Sequence, residues 1–378
     1  MRKNVYIFWV LLLLTFTLQS SYGQDKNLVK INPVKVDSSL SWYDIRDLGI
    51  SGKGWDEPGR EFERLPARAE SIVPKNVWIL SHNTSGINVK FVTNASEIHT
   101  RWALTDSTIY FPHFSSTGVS GLDLYLLTKG DIWRWAGLGK PLSFPDNEAR
   151  ILSNLPKAER TFMLYLPLYN GVSSVQIGIP KDATIWRNDR DDSDKRKPIV
   201  FYGTSITQGG CASRAGMSAT AILGRRLHWP VINLGFSGNG KMEPELAELL
   251  GEIDASIYVV DCSANMSIDL INERVEKFVE VLRKVKPETP IILVEEREPS
   301  LTYLYPNASI KKKWIAYRTA FENLKKKGVK NLHYIYGTYQ LGTNNEGTVD
   351  GSHPTDLGFW HQANFFEPII REILLFEK

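Results

Sequence analysis

The stretch Ile199-Val200-Phe201-Tyr202-Gly203-Thr204-Ser205-Ile206-Thr207-Gln208-Gly209 decides the architecture of the chain. Its first four residues form an apolar run of the kind found in a parallel strand covered on both faces. A glycine-rich turn follows, and then an amphipathic segment at about 217–227. The alternation continues downstream. Strand-like runs at 231–234, 256–260, 291–294 and 332–335 are separated by helical patterns at 243–250, 268–285, 310–327 and 355–376. Strands alternating with helices predict βαβ units and a parallel sheet, with functional loops at the carboxyl ends of the strands.

Upstream, the period changes from helical to two. In Ile87-Asn88-Val89-Lys90-Phe91 every second residue is apolar. Ile98, Trp102 and Leu104 share one face of a similar run, as do Phe162, Leu164, Leu166 and Leu168, and Val175, Ile177 and Ile179. Short strands between Gly, Pro, Asn and Ser clusters predict an antiparallel β-sandwich or jelly roll, without an amphipathic helix of ordinary length. Residues 187–198 are densely and alternately charged, which places them at the surface as a connection. The expected division is an accessory sandwich at 24–190 and an α/β domain at 196–378. No internal repeat is present.

Residues 1–23, MRKNVYIFWVLLLLTFTLQSSYG, have a basic start, an apolar stretch from Val5 to Leu18 and small residues at the end. They read as a secretory signal peptide cut before Gln24, so the mature protein is expected to be exported, to the periplasm or the medium. No later apolar run is long enough to span a bilayer. The 378 residues are 42% hydrophobic and 23% charged, which excludes a disordered or collagen-like chain. Without Arg2 and Lys3 the 45 basic residues become 43 against 42 acidic ones, and that balance argues against a nucleic-acid or anionic-membrane partner. Aromatic residues are abundant: 11 Trp, 15 Tyr and 16 Phe.

Four turns of the α/β half carry side chains that suit nucleophilic catalysis. Ser205 follows the first strand and precedes a helix, where a nucleophile has backbone N–H groups close by. The turn 233–240 is glycine-rich, so its backbone can approach a ligand. Asn265, after the third strand, offers an amide donor, although turn-forming Asn is common. Near the C-terminus, Asp350-Gly351-Ser352-His353-Pro354 places a general base three residues from a carboxylate that can orient it. Each of these also has an ordinary structural reading as a turn. Their shared position on one side of a parallel sheet is the stronger signal. No Gly-Lys-Ser/Thr ending makes the first turn a Walker A loop, and no His-Glu-x-x-His or paired-Cys pattern implies a metal or other cofactor.

In this order of blocks the C-terminal half resembles the SGNH hydrolase superfamily, the GDSL esterases. Gly203-Thr204-Ser205-Ile206 is similar to the nucleophile block, with Thr204 where Asp is usual. Gly238 falls at the oxyanion glycine, Asn265 at the oxyanion asparagine despite Met266 beside it, and Asp350 and His353 at the final Asp-x-x-His. Gly121-Leu122-Asp123-Leu124-Tyr125 is similar to the Gly-x-Asp-Leu-Tyr motif of a bacterial branch with an N-terminal β-domain. The combination also resembles family 2 carbohydrate esterases. The resemblance implies a flavodoxin-like three-layer α/β/α domain with sheet order 2-1-3-4-5. It further implies a Ser205–His353–Asp350 triad, an oxyanion site of Ser205, Gly238 and Asn265, and no cofactor.

That sheet order makes the first and third strands neighbours, so a structural disulfide between Cys211 and Cys262 is expected, with two buried thiols as the alternative. The expected activity is hydrolysis of short acyl esters, O-acetyl groups on a carbohydrate above all. Trp102, Trp133 and Trp135 are candidates to stack on sugar, although many of the tryptophans belong in the core. A lipid or aryl esterase of the same fold is the alternative within enzymes. A glycan-binding protein with an inactive hydrolase half is the alternative outside them, disfavoured by the complete triad. For Asp123, a buried structural carboxylate is preferred over a catalytic one.

Overall fold

A computed structural model of the protein describes residues 28–189, 195–305 and 309–376. The expected signal peptide at 1–23 and the middle of the charged connection, 190–194, lie outside the described residues. The N-terminal half is built from two sheets whose strand pairings are all antiparallel. One has seven strands and the other five. Ile98, Trp102 and Leu104 from one sheet meet Phe91, Phe162 and Leu164 from the other in a common core. The period-two alternation produces this layering, because successive side chains of a strand point to opposite faces. Trp102 is 2% exposed in that core, so it is a packing residue and not a sugar-stacking one.

The C-terminal half is a five-stranded parallel sheet of β1 (Ile199–Gly203), β2 (Val231–Gly235), β3 (Ile257–Asp261), β4 (Ile291–Val294) and β5 (Leu332–Ile335). Its order is β2-β1-β3-β4-β5. Helices α1 (Ser205–Gln208), α2 (Ala219–Leu227), α3 (Pro244–Glu252), α4 (Ile268–Val285), α5 (Ile310–Lys326) and α6 (Asp356–Phe376) cover it. Side chains alternate across the sheet. Val200, Tyr202, Tyr258 and Val260 pack with Leu246 of α3, Phe278 of α4 and Tyr317 of α5. Ile199, Phe201, Ile257 and Val259 pack on the other face with Ile222 of α2 and Phe359 of α6. The result is a three-layer α/β/α sandwich.

That alternation overturns the expected disulfide. Cys211 and Cys262 are both free and buried. Cys262 belongs to the core on the Tyr202 face, with its Sγ 3.7 Å from the Tyr202 carbonyl oxygen. Cys211 belongs to the core on the opposite face, beside Phe114 and Ala212. The sheet itself stands between the two clusters, so neighbouring strands do not bring the thiols together.

The two halves also share their cores, which the hydrophobic period of the sequence does not reveal. Residues 62–82 leave the N-terminal sheets, form a short helix at Lys75–Ser81, and put Leu65, Ala69, Val73 and Val77 into the Tyr202-face core. Phe114, Val119, Met163 and Tyr165 enter the other core. Each large apolar side chain buried this way stabilises the docked arrangement by roughly 1.5–3 kcal/mol. Polar contacts add direction. Arg64, 1% exposed, donates to the carbonyls of Asn233 and Gly235 at the end of β2, and to those of Leu80 and Asn83. Burial lowers its pKa to about 9, and the four carbonyls supply the acceptors a buried guanidinium requires.

Asp123 of the Gly-x-Asp-Leu-Tyr motif is fully buried at the same junction. It accepts from Arg214 Nη1 (2.9 Å), the Gly216 N–H (2.8 Å) and Trp135 Nε1 (3.0 Å). Arg214 also donates to the Tyr125 hydroxyl, and the Arg225 guanidinium lies 3.8 Å from the centre of the Tyr125 ring. The motif is therefore a clamp between the halves, and Trp135 is part of it.

Candidate active site

The register of the parallel sheet sets the site. Gly203 of β1 pairs with Gly235 of β2 on one side and with Asp261 of β3 on the other. Ser205, Gly238 and Asn265 follow these residues by two, three and four positions, so all three sit above the carboxyl ends of adjacent strands. The loop after β2 folds across the end of β1, with the Phe236 N–H donating to the Gly203 carbonyl (2.9 Å). Gly240 permits this approach: at φ +68°, a Cβ there would lie 2.0 Å from the Gly203 oxygen. Gly238, at φ +67°, has no heavy atom within 4 Å of its Cβ position, which leaves room for a ligand against its backbone.

Ser205 opens α1 and is 8% exposed. Thr204, standing where the resemblance expects Asp, is the N-cap and accepts from the Ile206 N–H at 3.3 Å. The Ser205 Oγ lies 3.0 Å from His353 Nε2. On the far side of the imidazole, Nδ1 is 2.7 Å from Asp350 Oδ2. The Asp350 Oδ1 accepts from the His353 N–H (2.7 Å) and the Ser352 N–H (3.0 Å), so the loop closes on its own carboxylate. This arrangement has the geometry of a nucleophile, a base and a group that orients the base. None of the described hydrogen bonds uses the N–H of Ser205 or Gly238. The Asn265 side chain donates to the Asn239 carbonyl beside Gly238 and carries a second N–H.

Burial pushes the Asp350 carboxyl up, but the His353 N–H, the imidazole and the Ser352 N–H outweigh it and bring the pKa down to about 2. Its depressed carboxylate stays ionised until the pH falls well below 4, and any stability it contributes is lost only on the way down to 2. Asp350 should therefore add no inflection to the profile of kcat/KM against pH between 4 and 9. Asp350→Asn should lower kcat on the order of 10³-fold across that range, because the imidazole loses its orienting partner. A pH–rate series on both proteins checks this.

Several supporting residues have no sequence signal of their own. Thr207 donates to the buried Asp261 (3.2 Å), which is paired with Arg297 (2.9 and 3.1 Å), tying α1 to the end of β3. Gln208 Oε1 accepts the Ser237 N–H (2.9 Å), and its amide donates to Asn83 and Leu168, both at 3.1 Å. The Tyr169 hydroxyl donates to the Ser205 carbonyl (3.0 Å). His113 reaches over from the N-terminal half, with its ring centre 6.1 Å from that of His353. Asn83, Leu168, Tyr169 and His113 all precede the charged connection, so the N-terminal half lines and braces this region.

The GDSL-like lipase/acylhydrolase family profile matches residues 196–371. The profile of the N-terminus of SGNH-hydrolase-type esterases, named for Gly-x-Asp-Leu-Tyr, matches residues 40–185. A crystal structure described as a GDSL-like lipase from Bacteroides ovatus is 37% identical, with a TM-score of 0.84, covering 89% of this chain and 98% of its own. A salicylyl-acyltransferase from a tetracycline biosynthetic pathway is 17% identical, with a TM-score of 0.66 over 92% of this chain and 98% of its own. A family two carbohydrate esterase from Clostridium thermocellum, in complex with cellohexaose, is 12% identical, with a TM-score of 0.54 over 77% of this chain and 93% of its own. The last two show the fold alone. No curated protein sequence matches significantly. With both halves matched and a relative aligned over nearly its whole length, the chain belongs to the GDSL-like lipase/acylhydrolase family of SGNH-type esterases.

Proposed function

We propose that this protein is an exported serine esterase that removes short acyl groups, O-acetyl groups above all, from a carbohydrate. The observation that carries the reading is the unbroken chain from Asp350 through His353 to the Ser205 Oγ, with links of 2.7 and 3.0 Å. In this mechanism His353 Nε2 takes the Ser205 proton as Oγ attacks the acyl carbonyl. The developing oxyanion is held by the N–H groups of Ser205 and Gly238 and by the Asn265 amide. Each such donor contributes about 10²–10³ in rate. His353 returns the proton to the departing alcohol. Water, activated by the same imidazole, then cleaves the acyl-enzyme and releases the acid.

The surface beside the catalytic loop supports a sugar substrate. The Ser300 N–H donates to the Gly351 carbonyl (3.1 Å), and Ser300 Oγ is 2.9 Å from Thr348 Oγ1, so the segment after Ser300 lies against the Asp-Gly-Ser-His loop. There Tyr303 and Tyr339, 70% and 66% exposed, border a small polar cavity of about 190 Å³ together with Thr302, Gln340 and Asn345. Exposed rings flanked by hydrogen-bonding groups suit the apolar faces and hydroxyls of a sugar. The shared architecture with family two carbohydrate esterases points the same way. Export rests on the segment 1–23, and among the described residues no helix is long and apolar enough to cross a membrane.

One observation favours a second reading. Leu301 and Leu304 are exposed on the same segment and could meet an aliphatic or aryl group. Acetate and longer-acid release from 4-nitrophenyl esters of increasing chain length, and from acetylated sugars, separates the two. The carbohydrate reading expects acetyl to exceed octanoyl by about ten-fold or more in kcat/KM, which is about 1.4 kcal/mol in transition-state binding. It also expects acetylated sugars to be turned over. A preference for octanoyl would select the lipid-esterase reading.

A further inference from the structure

We propose that His113, Cys211 and His353 form a binding site for a thiophilic divalent cation, Zn²⁺ being the fitting example, and that its occupancy silences the esterase. The silencing rests on the catalytic reading of His353 given above; the site itself does not. The three side chains come from three separate parts of the chain. His113 belongs to the N-terminal half, Cys211 follows α1, and His353 lies in the loop before α6. One ligand atom from each lies within 4.8 Å of the other two.

Two imidazole nitrogens and one thiolate are a donor set that zinc favours, and a tetrahedral ion would leave a fourth position for water or the Ser205 Oγ. Zinc bond lengths require donor separations of about 3.4–3.6 Å. Binding would therefore draw the three donors together from separations of up to 4.8 Å, and the exposed His113 is the least enclosed of them. Asp350 on the Nδ1 of His353 leaves Nε2 as the ligating atom, and a carboxylate behind a ligating imidazole is the usual outer support of a zinc site.

Cys211 has a further peculiarity. Its backbone is held at φ +74°, a conformation that disfavours any side chain, although Gly209 and Gly210 stand immediately before it. The thiol thus stands on a backbone conformation that glycine adopts more easily. Burial, and secondarily the Asp350 carboxylate, pushes this thiol up to about 12, so it is protonated when free. On binding, the S–H bond breaks, the metal–sulfur bond forms and the proton passes to water, with no redox change. The Nε2 lone pair then belongs to the metal and cannot accept the Ser205 proton.

Cobalt(II) reports on the site without reference to activity. Titrated into the wild type and into Ser205→Ala, it should give a thiolate-to-cobalt charge-transfer band that saturates at one equivalent and is displaced by Zn²⁺. Cys211→Ser should abolish the band. In parallel, Zn²⁺ should inhibit acetate release by the wild type, and EDTA should restore it. Each compared with its own metal-free rate, His113→Ala and Cys211→Ser should need at least about ten-fold more Zn²⁺ for half-inhibition than the wild type. His113 is exposed, so His113→Ala keeps the comparison readable even where Cys211→Ser does not fold. Absence of the band in the wild type, or equal Zn²⁺ sensitivity in wild type and His113→Ala, overturns the proposal. A saturable band in a protein without esterase activity upholds the site and overturns both the silencing and the esterase reading.

Discussion

Ser205→Ala is expected to lower kcat for acetyl-ester hydrolysis by about 10³-fold or more while leaving the unfolding transition where it is in the wild type. The size of the effect comes from the role. Oγ is the only atom removed, and in the proposed mechanism it is the atom that bonds to the acyl carbon. Its hydrogen-bond partner His353 is half-buried and remains oriented by Asp350 at 2.7 Å. The rest of the constellation should persist, so residual activity would measure what the oxyanion donors and binding achieve alone. Steady-state kinetics with an aryl acetate, paired with a thermal melt, provide the test. A variant that keeps more than a tenth of wild-type kcat would remove Ser205 from the reaction and with it the esterase mechanism.

Asp123→Ala carries the second large effect, and it falls on stability. The carboxylate is completely buried with three donors pointed at it from two halves of the chain: Trp135, Arg214 and the Gly216 N–H. Burial raises its pKa, while Arg214 and the Gly216 N–H work to keep it ionised. Removing it strands a mostly buried guanidinium and a buried N–H together. Breaking one partner of such a pair costs about 3–5 kcal/mol. Urea unfolding should show the midpoint falling by that amount divided by the slope. Activity per folded molecule should fall far less than in Ser205→Ala, because the hydrogen bonds of Asp123 go to Trp135, Arg214 and Gly216 and not to Ser205, His353 or Asp350. A loss of kcat at unchanged stability would instead make Asp123 a participant in the reaction.

Much of the α/β half is legible from period alone. β4, β5 and α4 occupy the residues expected, the other expected elements differ by a residue or two at their ends, and only the short α1, read as a turn, was missed. Buried parallel strands and amphipathic helices announce themselves because burial and periodicity are local properties. The antiparallel half is legible as strands but not as partners. The excursion at 62–82 is a clear example: its residues pack on a core formed more than a hundred positions later, and no pattern within 62–82 signals that. The disulfide expectation failed for a related reason. Adjacency of strands follows from topology, but the face on which a thiol falls follows from side-chain alternation and loop conformation.

What the sequence by itself determined is the set of residues on which the proposed chemistry rests. The identities of Ser205, Gly238, Asn265, Asp350 and His353, their order, and their places at strand ends are linear facts, since a turn after an apolar run marks the end of a strand. What only the tertiary structure decided is how distant parts of the chain meet. It brings the Ser205 Oγ within 3.0 Å of a histidine 148 residues away. It makes Asp123 a clamp on Arg214, and it sets Tyr169, Arg64 and His113 of the N-terminal half around the hydrolase loops. Such contacts are selected by the mutual burial of two apolar surfaces and by the need of each buried polar group for a partner. Both are properties of the assembled core, which no local stretch of sequence contains.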